Sequence, residues 1–536
     1  MKAASLAASL TDAAGARPPA DPARPGADAA TPRPAPPPWH PVRPAGLLPL
    51  ALALWLVVSL LLAHWMPGGR SDDAEILLHT QTWAWGWRLR NPPLFEWLAG
   101  AVMTLTGPHT WAVMSLRVAC MAAFMVALHQ VARALGASRS EAAVAALAPL
   151  WVLQFSYYAL FDLTHTVLAG VFYVAVVAAV HRAVARPGAG RMALLGLAVG
   201  LGLLTKHFFA FYAAAAALAC ALHAPYRVVW RPRHLLVVAT VALLVAAPYW
   251  IWMAQQGPQL WAQQTRESLR VGLAGAGGWQ DGPWRIPFLV AVVCLPWLLL
   301  YGLLSAGKGP RRPAVQPLAA RWILTTLGLT LLLVAAVWIA QGARRFEAHH
   351  LYFLILLPLA ATLGLPRRDD GGRRLRLAVA VSLAWLALML GVLIADHHRT
   401  ARRCATCGPY IDYAALGEQI RAAGFDAGTL YFASHTRQLA VPSLRPHLQA
   451  RLVRLDVPPT ENPADGPLAA GLRCAVIWQP GRDGWVHDAA TLGRLPPGLR
   501  AAVTAGMPTW QGAAPLIVPG RSGQLLALAV AERGCR

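Results

Sequence analysis

Long apolar runs, repeated along most of the chain, constrain the fold more than any other feature. Most are close to the roughly 20 residues that a helix needs to cross a bilayer. Hydrophobic residues make up 57% of the chain and charged residues 13%, whereas a soluble domain has about 25% charged residues. The sequence therefore predicts a mainly α-helical, polytopic membrane protein with about 11 spans, at 46–66, 111–133, 141–157, 165–182, 192–206, 208–223, 234–253, 286–306, 322–341, 348–365 and 375–395.

Arginines are concentrated in alternate loops between these runs. With the N-terminus in the cytoplasm, every predicted cytoplasmic loop carries a basic cluster, as the positive-inside rule requires. The net charge of +23 therefore indicates the topology of a multi-pass membrane protein, and not nucleic-acid binding. Segment 93–106 is apolar but short, and Pro92-Pro93 before it favours an interfacial helix. If it crossed, the count would be twelve and the later loops would change sides.

Two regions flank the predicted transmembrane domain, residues 45–395, which includes an outer loop with interfacial helices over 67–110. Residues 1–44 are rich in Ala, Pro and Arg, a composition typical of a disordered tail, here cytoplasmic. Residues 396–536 contain one helical pattern and short apolar runs such as TLYFAS and CAVIWQ. These predict an extracytoplasmic (periplasmic) α/β domain that is large enough for its own core.

The cysteines divide by environment. Three of the seven lie in predicted spans, where they pack as apolar residues. The other four lie in the predicted outer domain, where disulfides form. Four cysteines allow three pairings, of which we favour Cys404 with Cys407 and Cys474 with Cys535; a zinc site and a redox centre are weaker alternatives.

An acidic, tryptophan-rich stretch, residues 71–97, follows the first span. It contains Asp72, Asp73 and Glu75, and ionisable residues beside membrane segments usually have a function. A transferase that attacks an activated sugar needs a base for the acceptor hydroxyl, and a partly buried carboxylate fills that role. We predict that at least one of these acids is catalytic. Alternatively, the Asp pair caps a helix over 74–87. The tryptophans favour an interfacial belt, with sugar stacking as the alternative.

The predicted topology places further polar residues at the same outer face. Lys206 ends an apolar span, where it either snorkels or contacts a phosphate. Asp162 and His165 are three residues apart on a predicted helix, where they either pair or bind the acceptor. A divalent metal is the candidate cofactor, with Glu75 and His165 as candidate ligands. A second basic cluster either anchors the interface or binds a lipid phosphate: Arg344, Arg345, His349 and His350.

Several motifs, in order, resemble family 39 glycosyltransferases of the GT-C superfamily, which include protein O-mannosyltransferase-like and aminoarabinose-transferase-like bacterial enzymes. DAE at 73–75 followed by NPPLFEWL at 91–98 is similar to their first outer loop. Arg117 is similar to their arginine at the start of the second span. FDLTHT at 161–166 and LLTKH at 203–207 resemble two motifs of a bacterial subgroup.

The resemblance covers roughly residues 46–365 and implies a chemistry. Such enzymes use a polyprenyl-phosphate-linked sugar and an Asp of the first outer loop as base, which by position is Asp72 or Asp73. It implies a hexosyl- or pentosyltransferase with a lipid, glycan or protein acceptor and membrane lipids as partners. It also implies a bacterial cytoplasmic (inner) membrane as the location. Two departures are Asp73 where Glu is usual and EAHH at 347–350 where the family has an aromatic-basic pair. The predicted substrate-binding residues are Asp162, His165, Lys206, Arg344, Arg345, His349, His350 and Arg117.

Two other function classes are consistent with this topology. A lipid or solute transporter or flippase would carry charges at the membrane midplane and internal repeats. Here the predicted spans are mostly free of charge and the polar residues lie at one face, which favours an enzyme. The second alternative is a catalytically inactive family member that acts in cell-envelope assembly through its outer domain.

Overall fold

A computed structural model describes the fold of most of the chain. The described residues are 48–89, 91–160, 162–258, 261–262, 282–306, 310–341, 346–404, 408–433, 439–457, 462, 473–518 and 521–531. The predicted tail, 1–44, lies outside them, as do Arg344 and Arg345.

Helices dominate the described chain as far as Arg403. Only helices satisfy their own backbone hydrogen bonds within an apolar segment, so the apolar runs become helical. The helices are α1 Leu48–Trp65, α2 Ser71–His79, α3 Leu94–Thr106, α4 Thr110–Ala134, α5 Arg139–Leu147, α6 Leu153–Ser156, α7 Thr164–Ala185, α8 Ala189–Leu203, α9 Phe209–Leu222, α10 Pro232–Gln255, α11 Arg285–Ser305, α12 Pro317–Ala340, α13 Leu357–Gly364 and α14 Arg373–Arg403.

The helical lengths confirm a multi-pass membrane protein. Among the described residues, six helices are long and apolar enough to cross a membrane, or seven if a pair bent by 88° between Trp151 and Gln154 counts as one span. Shorter apolar helices occupy several other predicted positions, including α3, α8 and α9. The predicted count of eleven is therefore not confirmed.

Close packing of α8 on α10 explains two glycines in α8. A Cβ added at Gly196 would lie 2.6 Å from the carbonyl oxygen of Val238, and one added at Gly200 would lie 2.9 Å from that of Ala242. Small residues spaced by four let helix backbones approach in a membrane. Helix α8 then ends at Leu203, and a short turn leads into α9.

The C-terminal region, residues 408–531 where described, contains a mixed five-stranded sheet, which confirms the predicted α/β character. The strand order is β4-β3-β5-β7-β6; β3 pairs in parallel with β4 and β5, and β7 pairs antiparallel with β5 and β6. The elements are α15 Tyr413–Ala422, β3 Ala427–Phe432, β4 Gln449–Arg454, β5 Cys474–Trp478, α16 Ala489–Leu492, α17 Pro497–Ala505, β6 Trp510–Pro515 and β7 Ser522–Ala531; β1 Arg311–Arg312 and β2 Arg367–Arg368 form a separate pair.

The central strand β5 is buried along its whole length, because α15 covers one face of the sheet and α17 the other. A strand buried on both faces reads as a continuous apolar run, which is how the sequence predicted it. Cys404 and Cys474 are disulfide-bonded, and their favoured partners, Cys407 and Cys535, lie outside the described residues. The three cysteines in helical segments are free and buried.

Candidate functional site

Asp73 is locked into the interior by two donors. Its Oδ1 accepts a hydrogen bond of 2.7 Å from Arg117 Nη1, and its Oδ2 accepts one of 3.1 Å from the backbone N–H of Arg70. Arg117 Nη2 in turn donates to the carbonyl of Leu160 at 2.7 Å. Both side chains are fully buried. Burial raises the pKa of Asp73, and the charge of Arg117 opposes that shift. The pair joins α2 to α4.

Asp72 points to a different helix. Its Oδ2 accepts hydrogen bonds from the backbone N–H groups of Leu163, at 2.8 Å, and Thr164, at 3.2 Å, so it satisfies orphan donors at the start of α7. The predicted cap by both aspartates holds for one of them: α2 runs from Ser71 to His79 and not over 74–87, Asp73 accepts from the Arg70 N–H at its start, and Asp72 caps α7 instead. Asp72 is half-buried, and its Oδ1 accepts no hydrogen bond within the described chain.

Backbone strain marks the contact between Asp72 and α7. Leu163 has φ = 73°, the left-handed region, and it is the one non-glycine residue among those described with a positive φ. Such a conformation costs on the order of 1–3 kcal/mol and persists only where the surroundings impose it. The bond from Leu163 N–H to Asp72 is one such constraint.

Asp162 lies beside this contact, outside the helix. The prediction that Asp162 and His165 share a helical face is wrong, because α7 begins at Thr164 and the backbone turns at Leu163. Burial raises the pKa of Asp162 to about 7, and the nearby charges of Asp72 and Asp73 act in the same direction. Its Oδ1 is buried and has no hydrogen-bond partner among the described residues.

The first turn of α7 brings three distant parts of the sequence together. Thr164 is held by Asp72, and Nε2 of the next residue, His165, lies 3.5 Å from Glu96 Oε1 on α3. Thr166 accepts a 2.7 Å hydrogen bond from Lys206 Nζ in the turn between α8 and α9. The motifs that the sequence assigned to one outer face are therefore adjacent in space.

Glu96 and His79 are functional candidates that the sequence did not assign. His79 Nδ1 lies 3.4 Å from Glu96 Oε1, and Glu96 Oε2 is buried without a hydrogen-bond partner among the described residues. Burial lowers the pKa of His79 to about 3 and raises that of Glu96 well above its ordinary value. Both shifts favour the neutral forms, the imidazole of His79 and the carboxylic acid of Glu96. No spacing rule relates residues 79 and 96, which only the packing of α2 on α3 brings together.

The remaining predicted residues lie around this centre. Glu75 Oε2 pairs with Arg88 Nη1 at 2.5 Å. His349 Nδ1 lies 3.2 Å from Glu347 Oε2, and the ring of His350 packs 4.6 Å from that of Phe208. The second basic cluster thus reaches the turn that carries Lys206, although two members, Arg344 and Arg345, lie outside the described residues.

Metal coordination finds no support at these positions. Within the described ranges, no group of three or more His, Cys, Asp or Glu side chains is arranged to hold a metal ion. The two candidate ligands turn to other partners, Glu75 to Arg88 and His165 to Glu96.

Known proteins resemble this chain in sequence and in fold. The dolichyl-phosphate-mannose-protein mannosyltransferase family matches residues 90–252. The lipopolysaccharide core galacturonosyltransferase RgtA of Rhizobium johnstonii is 28% identical over 368 residues, which is 65% of this chain and 71% of RgtA. A second lipopolysaccharide core galacturonosyltransferase of the same organism, RgtB, is 27% identical over 186 residues, which is 34% of this chain and 37% of RgtB.

The fold comparison extends over nearly the whole chain. The crystal structure of ArnT from Cupriavidus metallidurans bound to undecaprenyl phosphate has a TM-score of 0.59 at 14% identity, and covers 90% of this chain and 98% of ArnT. The apo state of ArnT gives a TM-score of 0.57 at 15% identity, with the same coverage. Together, the sequence and fold comparisons support a glycosyltransferase of the GT-C superfamily.

The resemblance seen in the sequence motifs is thereby confirmed. The protein joins a helical part, with several helices apolar and long enough to cross a membrane, to a sheet-containing C-terminal region. The family match begins just before the NPPLFEWL motif and extends into α10. It therefore includes Glu96, the first turn of α7 and Lys206.

Proposed function

We propose that this glycosyltransferase moves a sugar from a polyprenyl-phosphate donor to an acceptor on the outer side of the cytoplasmic membrane, with Asp72 as general base. One observation carries the choice of base. Asp72 is positioned through Oδ2 by the start of α7, while Oδ1 accepts no hydrogen bond in the described chain. Both oxygens of Asp73 are engaged, and its side chain is fully buried.

The proposed reaction is a single inverting displacement. Asp72 takes the proton of the acceptor hydroxyl, whose oxygen forms a bond to the anomeric carbon as the bond from that carbon to the phosphate oxygen breaks. The lipid phosphate departs with the bonding electrons. Lys206, held at the same turn of α7 by Thr166, stabilises the charge on the phosphate. Arg344 or Arg345 would add a bidentate contact.

The relatives support the choice of substrates. ArnT has been seen bound to undecaprenyl phosphate, and RgtA and RgtB act on the lipopolysaccharide core by name. We therefore propose a polyprenyl-phosphate donor and an envelope saccharide or glycolipid acceptor. The basic loops predict that the acid-bearing side faces away from the cytoplasm, where the C-terminal region would also lie.

Single substitutions of the acids test this proposal. Sugar transfer from radiolabelled polyprenyl-phosphate donors is measured in proteoliposomes for the wild type and for Asp72→Asn, Asp73→Asn and Glu75→Gln. Loss of a general base costs about 10²- to 10⁴-fold in rate, so Asp72→Asn is expected to lower kcat by that factor while remaining monodisperse in detergent. Full activity of Asp72→Asn would overturn the base assignment. Solute flux without transfer from any donor would indicate a transporter instead.

A further inference from the structure

The helix that carries the candidate acids, α2, is too short to hold itself in place. It contains nine residues, and isolated helices shorter than about 12–15 residues are marginal in water. The position of Asp72 therefore depends on what packs around α2. The membrane helices contact its acidic side through Arg117 and the start of α7.

The opposite side of α2 belongs to the core of the C-terminal region. Ala74 and Leu78 are buried in the same apolar cluster as Tyr413 and Leu416 of α15. Burial of a side chain the size of Leu78 contributes about 1.5–3 kcal/mol relative to exposure, and the single methyl of Ala74 about 0.8 kcal/mol. The acid helix is thus shared by the two parts of the molecule.

Arg445, from the C-terminal region, closes the end of α2. Its Nη1 donates to the carbonyl of Leu77 at 2.5 Å and to Thr80 Oγ1 at 2.9 Å, and its Nη2 donates to the carbonyl of Thr80 at 3.4 Å. The last carbonyls of a helix lack partners within it, and a cation there also complements the helix dipole. Although burial lowers the pKa of Arg445 to about 10, the guanidinium stays charged at neutral pH.

The residue that follows this cap is held by the sheet. The side-chain amide of Gln81 donates to the carbonyl of Leu452 at 3.1 Å and accepts from its backbone N–H at 2.8 Å. Leu452 lies on β4, the edge strand. The Gln81 side chain therefore pairs with free edge groups as a neighbouring strand would.

The chain that enters α2 is also held by the C-terminal region. The N–H of Gly68 donates to the carbonyl of Pro409 at 3.2 Å, and that of Gly69 to Ser443 Oγ at 3.4 Å. A Cβ added at Gly68 would lie 2.3 Å from the carbonyl oxygen of Gly408, so only glycine permits this approach. The entry to α2, one face and its end all rest on the C-terminal region.

We propose that the C-terminal region acts in catalysis by holding α2 in place, and that Arg445 is the principal positioning residue for Asp72. The inference rests on the proposed function, in which Asp72 is the base. Arg445 contacts the far end of α2 and acts through the helix. A displacement of about 1 Å at a reacting group costs on the order of 10²-fold in rate.

The test compares Arg445→Gln with a matched control, Arg421→Gln. Arg421 is an exposed arginine of the same region whose guanidinium donates to the carbonyl of His447 at 2.7 Å and not to a residue of α2. We expect Arg445→Gln to lower kcat by about 10- to 100-fold with the donor KM unchanged, and Arg421→Gln to match the wild type. Arg445→Lys restores the charge but not the forked geometry, so it is expected to recover part of the rate.

A second measurement does not depend on activity. Hydrogen–deuterium exchange of the full-length protein in detergent reports local opening, and amides of 71–80 are expected to exchange about tenfold faster in Arg445→Gln than in the control. Gln81→Ala, a milder change, is expected to show the same pattern with a smaller amplitude if Arg445→Gln does not fold.

The two measurements separate the two proposals. Faster exchange at 71–80 without transfer by the wild type from any donor would preserve the role of Arg445 in holding α2 and overturn the proposed function. Wild-type transfer with unchanged exchange and kcat in Arg445→Gln and Gln81→Ala would overturn the role of the C-terminal region. An increase in KM alone would also overturn it, because it would place Arg445 in donor binding.

Discussion

Two sets of charged side chains meet around the start of α7 and differ in what their polar atoms contact. The buried set consists of Asp73, Arg117, His79 and Glu96, all inaccessible to solvent or nearly so. The half-exposed set consists of Asp72, Asp162 and Lys206. In the buried set, Asp73 forms an ion pair with Arg117. In the half-exposed set, Asp72 retains a carboxylate oxygen without a hydrogen bond in the described chain.

This difference separates side chains that support the fold from side chains that can contact the substrate. A side chain that is fully enclosed and bonded at both oxygens has no room for a substrate, and its removal leaves its partner unsatisfied. A half-buried carboxylate or ammonium reaches substrate and still feels its neighbours. Substitutions in the buried set should therefore change stability, and those in the half-exposed set should change kinetics of a folded protein.

The largest effect is expected for Asp73→Asn. The substitution leaves Arg117 as a buried charge without a counter-ion, which costs about 3–5 kcal/mol. We expect a large fall in the thermal unfolding temperature in detergent and in the yield of monodisperse protein. The double variant Asp73→Asn with Arg117→Gln should regain part of the loss, because the buried charge is gone. An Asp73→Asn protein with wild-type stability and no activity would contradict this division, because Asp73 would then act in the reaction as the half-exposed set does.

Lys206→Met is the next prediction. Removing a charge-assisted contact to phosphate costs about 1.5–3 kcal/mol, equivalent to roughly 10- to 150-fold, and we expect it mainly in the donor KM. The unfolding temperature should stay near that of the wild type. Thr166→Val, which keeps the ammonium and removes its 2.7 Å partner, is the control and should cost less than tenfold. Equal effects of the two variants would show that the lysine acts through Thr166 alone.

How well the sequence predicted these sets depends on the range of the interaction. Apolar runs and loop charges depend on local composition, so the helical part and the apolar strand β5 were predictable. The sequence also predicted that Asp72, His165 and Lys206 lie near one another, because the predicted topology places all three at the same membrane face. The sequence motif did not decide between Asp72 and Asp73 as the base, since nothing in the local sequence distinguishes them.

What the sequence did not predict are specific partners across the fold. Asp72 caps α7, 91 residues away, and the turn at Leu163 that makes this possible removes Asp162 from the helix. The contact of His79 with Glu96 depends on how α2 and α3 are packed. Arg445 lies 368 residues from Leu77. Such contacts are set by tertiary geometry, which periodicity does not encode.

A smaller, pH-dependent effect is expected for Asp162→Asn. Burial and the charges of Asp72 and Asp73 raise the pKa of Asp162 to about 7, so the carboxyl is neutral below that pH and charged above it. The added negative charge should weaken binding of the anionic donor, and the wild-type donor KM should rise several-fold between pH 6 and pH 8 (about one unit on either side of the transition). In Asp162→Asn, KM measured across the same range should stay flat. The same rise in both proteins would exclude Asp162 as its source.

Glu96→Gln should have the smallest effect on stability at neutral pH. It tests whether two carboxyl groups of the buried set, Glu96 and Asp73, differ in charge. Burial raises the pKa of Glu96 and so favours its protonated form, and glutamine has nearly the same shape as a protonated carboxyl. We expect a stability change within about 1 kcal/mol, in contrast to Asp73→Asn.

The pH dependence of unfolding distinguishes a protonated Glu96 from a charged one. A carboxyl with a raised folded-state pKa binds its proton more tightly in the native state, so the free energy of unfolding falls as pH rises from 4.5 to that folded-state pKa. His79, whose pKa is lowered to about 3, acts in the opposite direction between 3 and 6.5. The two partly offset each other below 6.5, and Asp162 adds a fall that ends near 7. The fall due to Glu96 continues up to its folded-state pKa with a slope of up to about 1.4 kcal/mol per pH unit, and Glu96→Gln should lack it. Parallel slopes of the wild type and Glu96→Gln at every pH above 4.5 would mean that the pKa of Glu96 is not raised in the folded protein, and that the buried set holds a charged Glu96.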